Sequence, residues 1–385
     1  MKRYWYFLIV GFLVLWACSS DGSDETPMTD DDISVTDDDG TPVTFDRNAM
    51  LVNWADNIII PAYEAFEAEL VLLNTAFDSF SQDQSEINLQ ALRSAWLNAY
   101  TAWQSISMFE IGPAENIDFR LNMNSYPTNV ELIEDFLSGE NYDLTLPSNR
   151  VVKGFPAFDY LLNGWESSDT ARIAVFQNET RGGQVLSYMD DVLGNMTSLT
   201  ATVVEEWKDN YRDTFISNDG ASATASVDLF VNDYIFYFEK FLRAGKMGIP
   251  LGIFSGSPLP DRIEAYYQED VSKELFVAAL DAFQNFFNGA AFNGGASGSS
   301  LVSYLQDLNT LKDGESLDQL INTQIDVARD AVNGLSTFKE EIEDNDPPTA
   351  MRSAYDEVQR LVPLLKVDMV SAMSISIDFV DADGD

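Results

Sequence analysis

From Trp54 to about Ala372 the apolar residues recur at intervals of three and four, the period of a helix and not of a strand. Trp54 to Phe80 predicts a first long helix, with Pro61 kinking or dividing it because its ring has no N–H and crowds the preceding turn. Ser85 to Glu110 is sharper: Leu89, Leu92, Trp96, Tyr100, Trp103 and Ile106 or Ser107 advance by three and four along one face, and Gly112-Pro113 stops the run. A short helix follows from Thr128 to Leu137. Ser168 to Ser217 reads as one or two helices with a break at Arg181-Gly182-Gly183. Ser226 to Ala244 carries Phe230, Tyr234, Phe236, Tyr237, Phe238 and Phe241 and belongs at the centre of a core. Val271 to Phe287, Ser316 to Glu341 and Thr349 to Ala372 complete the helices, with Asp346-Pro347-Pro348 separating the last two and Pro363 bending the second of them.

Three connections stand out. Gly245 to Pro260 is a long, apolar, Gly/Pro-punctuated stretch, which predicts a loop buried at a junction between domains. Asn293 to Ser299 predicts a flexible turn. Ser374 to Phe379 alternates like a short strand before the acidic end Asp381-Ala382-Asp383-Gly384-Asp385, which reads as a frayed tail because no bidentate Glu follows to complete a calcium loop.

Between two loops, Lys153-Gly154-Phe155-Pro156-Ala157-Phe158-Asp159-Tyr160-Leu161-Leu162-Asn163-Gly164 predicts a short buried helix. Proline suits a first helical turn, where its missing N–H costs nothing. Asp159, three residues on, shares a face with Pro156 and is expected close enough to the N-terminal end to feel its positive partial charge.

The N-terminus has a different pattern. Lys2 and Arg3 precede an apolar run from Tyr4 to Trp16, too short to cross a bilayer comfortably, and Ala17-Cys18 follows. A small residue before the chain's single cysteine resembles a bacterial lipobox, so residues 1–17 are expected to be a signal peptide and Cys18 the lipid-bearing first residue of the mature protein. Residues 18–46, with the triplets Asp30-Asp31-Asp32 and Asp37-Asp38-Asp39, read as a disordered acidic tether. Its start, Ser19-Ser20-Asp21-Gly22-Ser23-Asp24-Glu25, also looks like the surface-export signals of Bacteroidota lipoproteins, so the protein is expected in the cell envelope, on an outer membrane facing the periplasm or the cell surface.

Composition narrows the chemistry. The 385 residues include 63 acidic and 22 basic side chains, a net charge of −41, which argues against nucleic acid and anionic lipid surfaces. There is no histidine, which excludes Ser-His-Asp and Cys-His nucleophiles and histidine-held zinc. A single cysteine excludes internal disulfides and iron–sulfur clusters. Any metal must take oxygen ligands.

The stretch at Gly154 resembles the signature of the imelysin family, G-x-H-x-x-E followed by Y-L-L. Gly154 and Tyr160-Leu161-Leu162 match; Pro156 stands at the histidine position and Asp159 at the glutamate position. Trp96, Tyr100, Glu110 and Gly112 are similar to the family's preceding helix and turn. Asn124-Ser125-Tyr126-Pro127 resembles its Asn-x-x-Pro loop, and Gly245 to Pro260 its later loop. The resemblance implies an all-α fold of two packed four-helix-type bundles, here about 47–165 and 166–385, with the signature near their junction and a short irregular or strand-like C-terminus.

It also implies a link to bacterial iron uptake. The function expected first is a non-catalytic envelope lipoprotein accessory to uptake of iron or another nutrient, working with an outer-membrane uptake or envelope protein. Its pocket would sit around Asp159, with Glu110, Asn124, Tyr126 and Glu264 as polar contacts and any ion, iron or calcium, held by oxygen. No catalytic residue is assigned. The alternatives are a metallopeptidase with carboxylate ligands and Asp159 or Glu110 as base, and a structural, partner-binding protein in which Pro156 and Asp159 serve only capping and packing.

Overall fold

The computed structural model describes residues 45–139, 141–268 and 271–377, together with the backbone of 35–36 and 42–43. The expected signal peptide, Cys18, most of the tether and the acidic tail lie outside the described residues. Val35–Thr36 and Pro42–Val43 pair antiparallel, so the stretch expected to be disordered throughout ends in a small hairpin.

The first layer begins with α1 (Arg47–Asn53), capped by the Asp46 side chain accepting from the Ala49 N–H. A wide π-helical turn, Trp54–Ile59, joins it to α2 (Ile60–Gln82) without a break. Pro61 therefore neither divides nor ends the helix. The Asn57 carbonyl four residues before it, which no Pro61 N–H can serve, accepts instead from the backbone N–H of Phe292 at 2.8 Å. The next helix, α3 (Glu86–Gln104), is capped by Ser85 and lies along α2. It ends before the predicted limit, leaving Glu110 in an irregular segment and not at a helix end. Leu89, Leu92, Trp96, Tyr100, Trp103 and Ile106 are all buried, as the spacing predicts.

Short helices follow, among them α4 (Phe119–Met123) and α5 (Val130–Leu137). The signature stretch is α6 (Gly154–Asn163), buried along its whole length. It packs on α3 and α4 and on α8 (Arg181–Glu206), which also lies along α2. Between them α7 (Asp169–Phe176) stops before Arg181, so the break precedes the glycines, and Gly182 begins a helix where a Cβ would lie 1.9 Å from the Phe176 carbonyl oxygen.

The second layer is built on α9 (Ser226–Phe236), which runs on as a π-helix through Tyr237–Gly248. Lys246 is thus on a helix and not in the expected loop. The rest of that loop is buried at Pro250 to Gly252 and exposed from Ile253 to Ser257. Against the π-helical continuation of α9 pack α10 (Val271–Phe287) and α13 (Thr349–Gln359), and α11 (Leu317–Asn333) lies along both of these, while α10 also touches α3. The single helix expected from Ser316 to Glu341 is two: Gly334 ends α11, and Thr337 with Glu340 forms a capping box that starts α12 (Phe338–Glu343). Pro363 opens another π-helical stretch, Pro363–Met369. Residues 374–377 form no strand. The chain is all-α apart from paired two-residue strands, and residues 35–385 form one compact unit. Among the described residues no helix is long and apolar enough to cross a membrane.

The turn expected to be flexible near Asn293 is tied down at its ends. The Asn53 side chain donates to the carbonyls of Gly289 at 3.2 Å and Ser299 at 3.1 Å, and a Cβ on Gly298 would lie 2.3 Å from that side chain.

Candidate functional site

At the signature helix the chain approaches itself closely. Gly154 has φ +71, and a Cβ there would lie 2.1 Å from the Met123 carbonyl oxygen, so only glycine lets α6 start against the end of α4. Phe155 then enters the core, stacked on Tyr100 with centroids 4.3 Å apart. Pro156 is the third residue of α6 and Asp159 the sixth, so Asp159 sits in the second turn, beyond the free amides of its own helix.

Its partners come from elsewhere. Asp159 is 1% exposed; one oxygen accepts from the Tyr267 N–H at 2.8 Å and the other from the Asn163 side chain at 3.1 Å. Burial pushes its carboxyl up to about 7, against the pull of the Tyr267 amide, Asn163 and the Gln268 amide. A cavity of about 160 Å³ lies beside it, lined in part by Tyr126, Pro156, Ala265 and Tyr267.

A second polar cluster joins the layers. The Lys246 ammonium on α9 pairs with Glu264 and donates to the Gln104 side chain at 2.9 Å. The Asn124 amide donates to Glu264 at 2.8 Å, and the Tyr100 hydroxyl donates to Asn124 at 2.6 Å. Both members of the ion pair are buried, and burial holds the Lys246 ammonium below its ordinary range while Glu264 opposes that shift. Ala265, next in the chain, has φ 54, a left-handed conformation uncommon outside glycine.

Glu110 is apart from these. The Glu110 N–H donates to Asp233 at 2.9 Å and its side chain accepts from the Arg120 N–H at 2.8 Å. The Arg120 guanidinium is clamped by Asp233 and donates to the Ser107 carbonyl at 2.6 Å, lying 4.7 Å from the Phe241 ring centre. Burial raises the Glu110 carboxyl to about 7, opposed by Arg120 and reinforced by Asp233 and Asp118. This residue faces a cavity of about 540 Å³ between the 110–121 segment and α9.

Of the five residues expected to make one pocket, Asn124 and Glu264 are hydrogen-bonded and Tyr126 lies between them and Asp159. Glu110 lies across Arg120, which lines both its cavity and the small void beside Asn124. Lys246, Gln104, Arg120 and Asp233 were missed. Lys246 and Gln104 each look like a solvated polar residue until the fold brings them together.

The donor set does not fit iron or calcium. Glu264 faces an ammonium and two amide donors, and Asp159 faces N–H groups, so each carboxylate already meets positive partners that an ion would have to displace. Among the described residues no three carboxylates converge as metal ligands do.

Two helical layers, pinned at their junction by a buried signature helix and a satisfied polar cluster, define a class of all-helical protein built around that joint. The chain belongs to the imelysin family, whose model (Peptidase_M75: Imelysin) matches residues 59–365. Iron-regulated protein A of Synechococcus elongatus is 29% identical over 80 residues, a match that spans 21% of this chain and only 22% of that relative. A solved structure described as an iron-regulated protein A precursor, from Parabacteroides distasonis, has 17% identity and a TM-score of 0.68, covering 87% of this chain and 98% of the other. An imelysin-like protein from Psychrobacter arcticum has 18% identity and a TM-score of 0.66, covering 86% and 97%. At these identities the structures establish a shared fold.

Proposed function

We propose that this protein is a non-catalytic envelope component accessory to the uptake of iron or another nutrient, held to the outer membrane through a lipid on Cys18. The carrying observation is the state of the signature region. Its carboxylates are spent on the joint between layers, Asp159 on the Tyr267 amide and Glu264 on Lys246, where a metallopeptidase needs an open metal position and a water. The link to iron rests on relatives named for iron regulation. The N-terminal charge, apolar run and single cysteine support the anchor.

The test is growth of a strain lacking the protein, complemented with the natural chain or with Cys18→Ala, alongside proteolysis assays of the purified chain with zinc and calcium. Slow growth under iron limitation, rescued by the natural chain and not by Cys18→Ala, with no metal-stimulated cleavage, is the expected result. Growth indifferent to iron supply, or chelator-sensitive proteolysis, would overturn the reading.

A further inference from the structure

We infer that the cavity facing Glu110 is a binding site for an organic ammonium ion, an amine or quaternary ammonium carried on an apolar or aromatic body. This stands apart from the uptake reading, which concerns the signature region.

Size and walls come first. The cavity holds about 540 Å³, within the span of small-molecule sites, and its walls include Tyr211, Phe215, Phe230, Phe236 and Phe241. Phe236 and Phe241 are the two aromatics of their helix that the core leaves part-exposed, and both turn toward this space. Leu229, 43% exposed, and the exposed Glu115 also line it and mark its mouth. The backbone is shaped to keep the wall in place: Gly112 has φ +52, and a Cβ there would lie 2.2 Å from the Tyr211 ring.

Charge selects the ligand. Arg120 is matched by Asp233 at 2.9 Å, and Asp118 by Arg150 at 2.5 Å. Glu110 and Glu115 have no ion pair among the described residues. One Glu110 oxygen accepts from the Arg120 N–H, and the other has no partner among the described residues. A neutral ligand would offer that carboxylate oxygen no opposite charge, and an anion would be repelled. A metal ion would need several oxygens where the cavity offers one free inner carboxylate oxygen and aromatic carbon. An ammonium meets both features at once, the carboxylate through charge and the ring faces through cation–π attraction, as the Arg120 guanidinium over Phe241 already does.

Proton linkage follows. Glu110 is surrounded by Arg120, Asp233, Asp118 and the Tyr63 hydroxyl, and its carboxyl titrates near 7. A bound cation pulls that value down, so binding near neutrality releases protons and weakens as the medium is acidified.

The experiment is calorimetry on the full chain in neutral detergent with three probes of similar shape: benzyltrimethylammonium, its uncharged isostere neopentylbenzene, and phenylacetate. The expected order places the cation about ten-fold or more ahead of the isostere, with phenylacetate not bound. Glu110→Gln, which keeps size and acceptor, should abolish the preference for charge. Leu229→Trp, at the mouth and away from Glu110, should weaken the cation and the isostere alike. The heat of cation binding should vary with the ionisation enthalpy of the buffer. Equal affinity for cation and isostere, a preference that survives Glu110→Gln, or no binding of the cation overturns the inference.

Discussion

Replacing Asp159 by Asn keeps the shape and the acceptor for the Tyr267 amide while removing a titratable group from the joint between the layers. In the natural chain burial raises this carboxyl from 3.8 to about 7, so the folded protein holds its proton more tightly than the unfolded chain does. The stability contributed by that difference is whole below the unfolded value near pH 4 and is lost as pH rises through about 7. Between about pH 5 and pH 8 the loss amounts to on the order of 2–3 kcal/mol, at ~1.4 kcal/mol for each tenfold difference in proton affinity. The Asp159→Asn variant carries no such slope. Glu110, which titrates in the same window and with the same sign, is present in both forms and cancels from their difference. The assay is urea unfolding of both proteins at half-unit steps of pH. The gap between them should move toward the variant by that amount as pH rises. The size of the gap at any one pH is uninformative, because it includes hydrogen bonds remade by the new amide; a gap that does not change with pH would refute the argument and mean that water reaches Asp159 or that the surrounding amides fully compensate its charge.

Lys246→Met leaves Glu264 buried without its cation and should cost about 3–5 kcal/mol; adding Glu264→Leu should recover much of it, measured by the same unfolding. Gly112→Ala forces a methyl into the Tyr211 ring at a positive φ, and should lower stability by about 2 kcal/mol while weakening ammonium binding at the Glu110 cavity. Phe155→Ala empties the space stacked on Tyr100 and beside Trp103, and should cost about 3–5 kcal/mol with no change in the pH slope assigned to Asp159.

The helical frame was legible because its information is local. The intervals among Leu89, Trp96, Tyr100 and Trp103 state a buried face directly, and all four are buried. The start of α12 was equally legible in Thr337 and Glu340, but apolar periodicity on both sides masked the capping box. Lys246 was not legible. A lysine after a glycine reads as exposed, and its burial depends on Glu264 across a loop and on Gln104 from another helix, 142 positions away. Pro61 does not divide its helix, because the π-helical turn just before it absorbs the broken bonding pattern, and Pro363 likewise stands at the start of a π-helical stretch. The five-residue pocket was read from resemblance, which carries positions but not partners. It therefore could not show that Arg120 and its clamp to Asp233 separate Glu110 from the others.

The contact between Asn57 and Phe292 bears on how the protein is made. Helices α1 and α2 leave the ribosome early, bearing a backbone carbonyl that their own proline has left without a helical donor. The Asn53 amide beside it waits for acceptors that include Gly289, 236 positions later in the chain. A nascent or truncated chain that ends before that loop keeps these polar groups wet on a surface the mature protein closes. The seam is partly backbone, so side-chain substitution alone cannot dissolve it. Expressed alone, the N-terminal layer would be an unfinished surface in search of its second half.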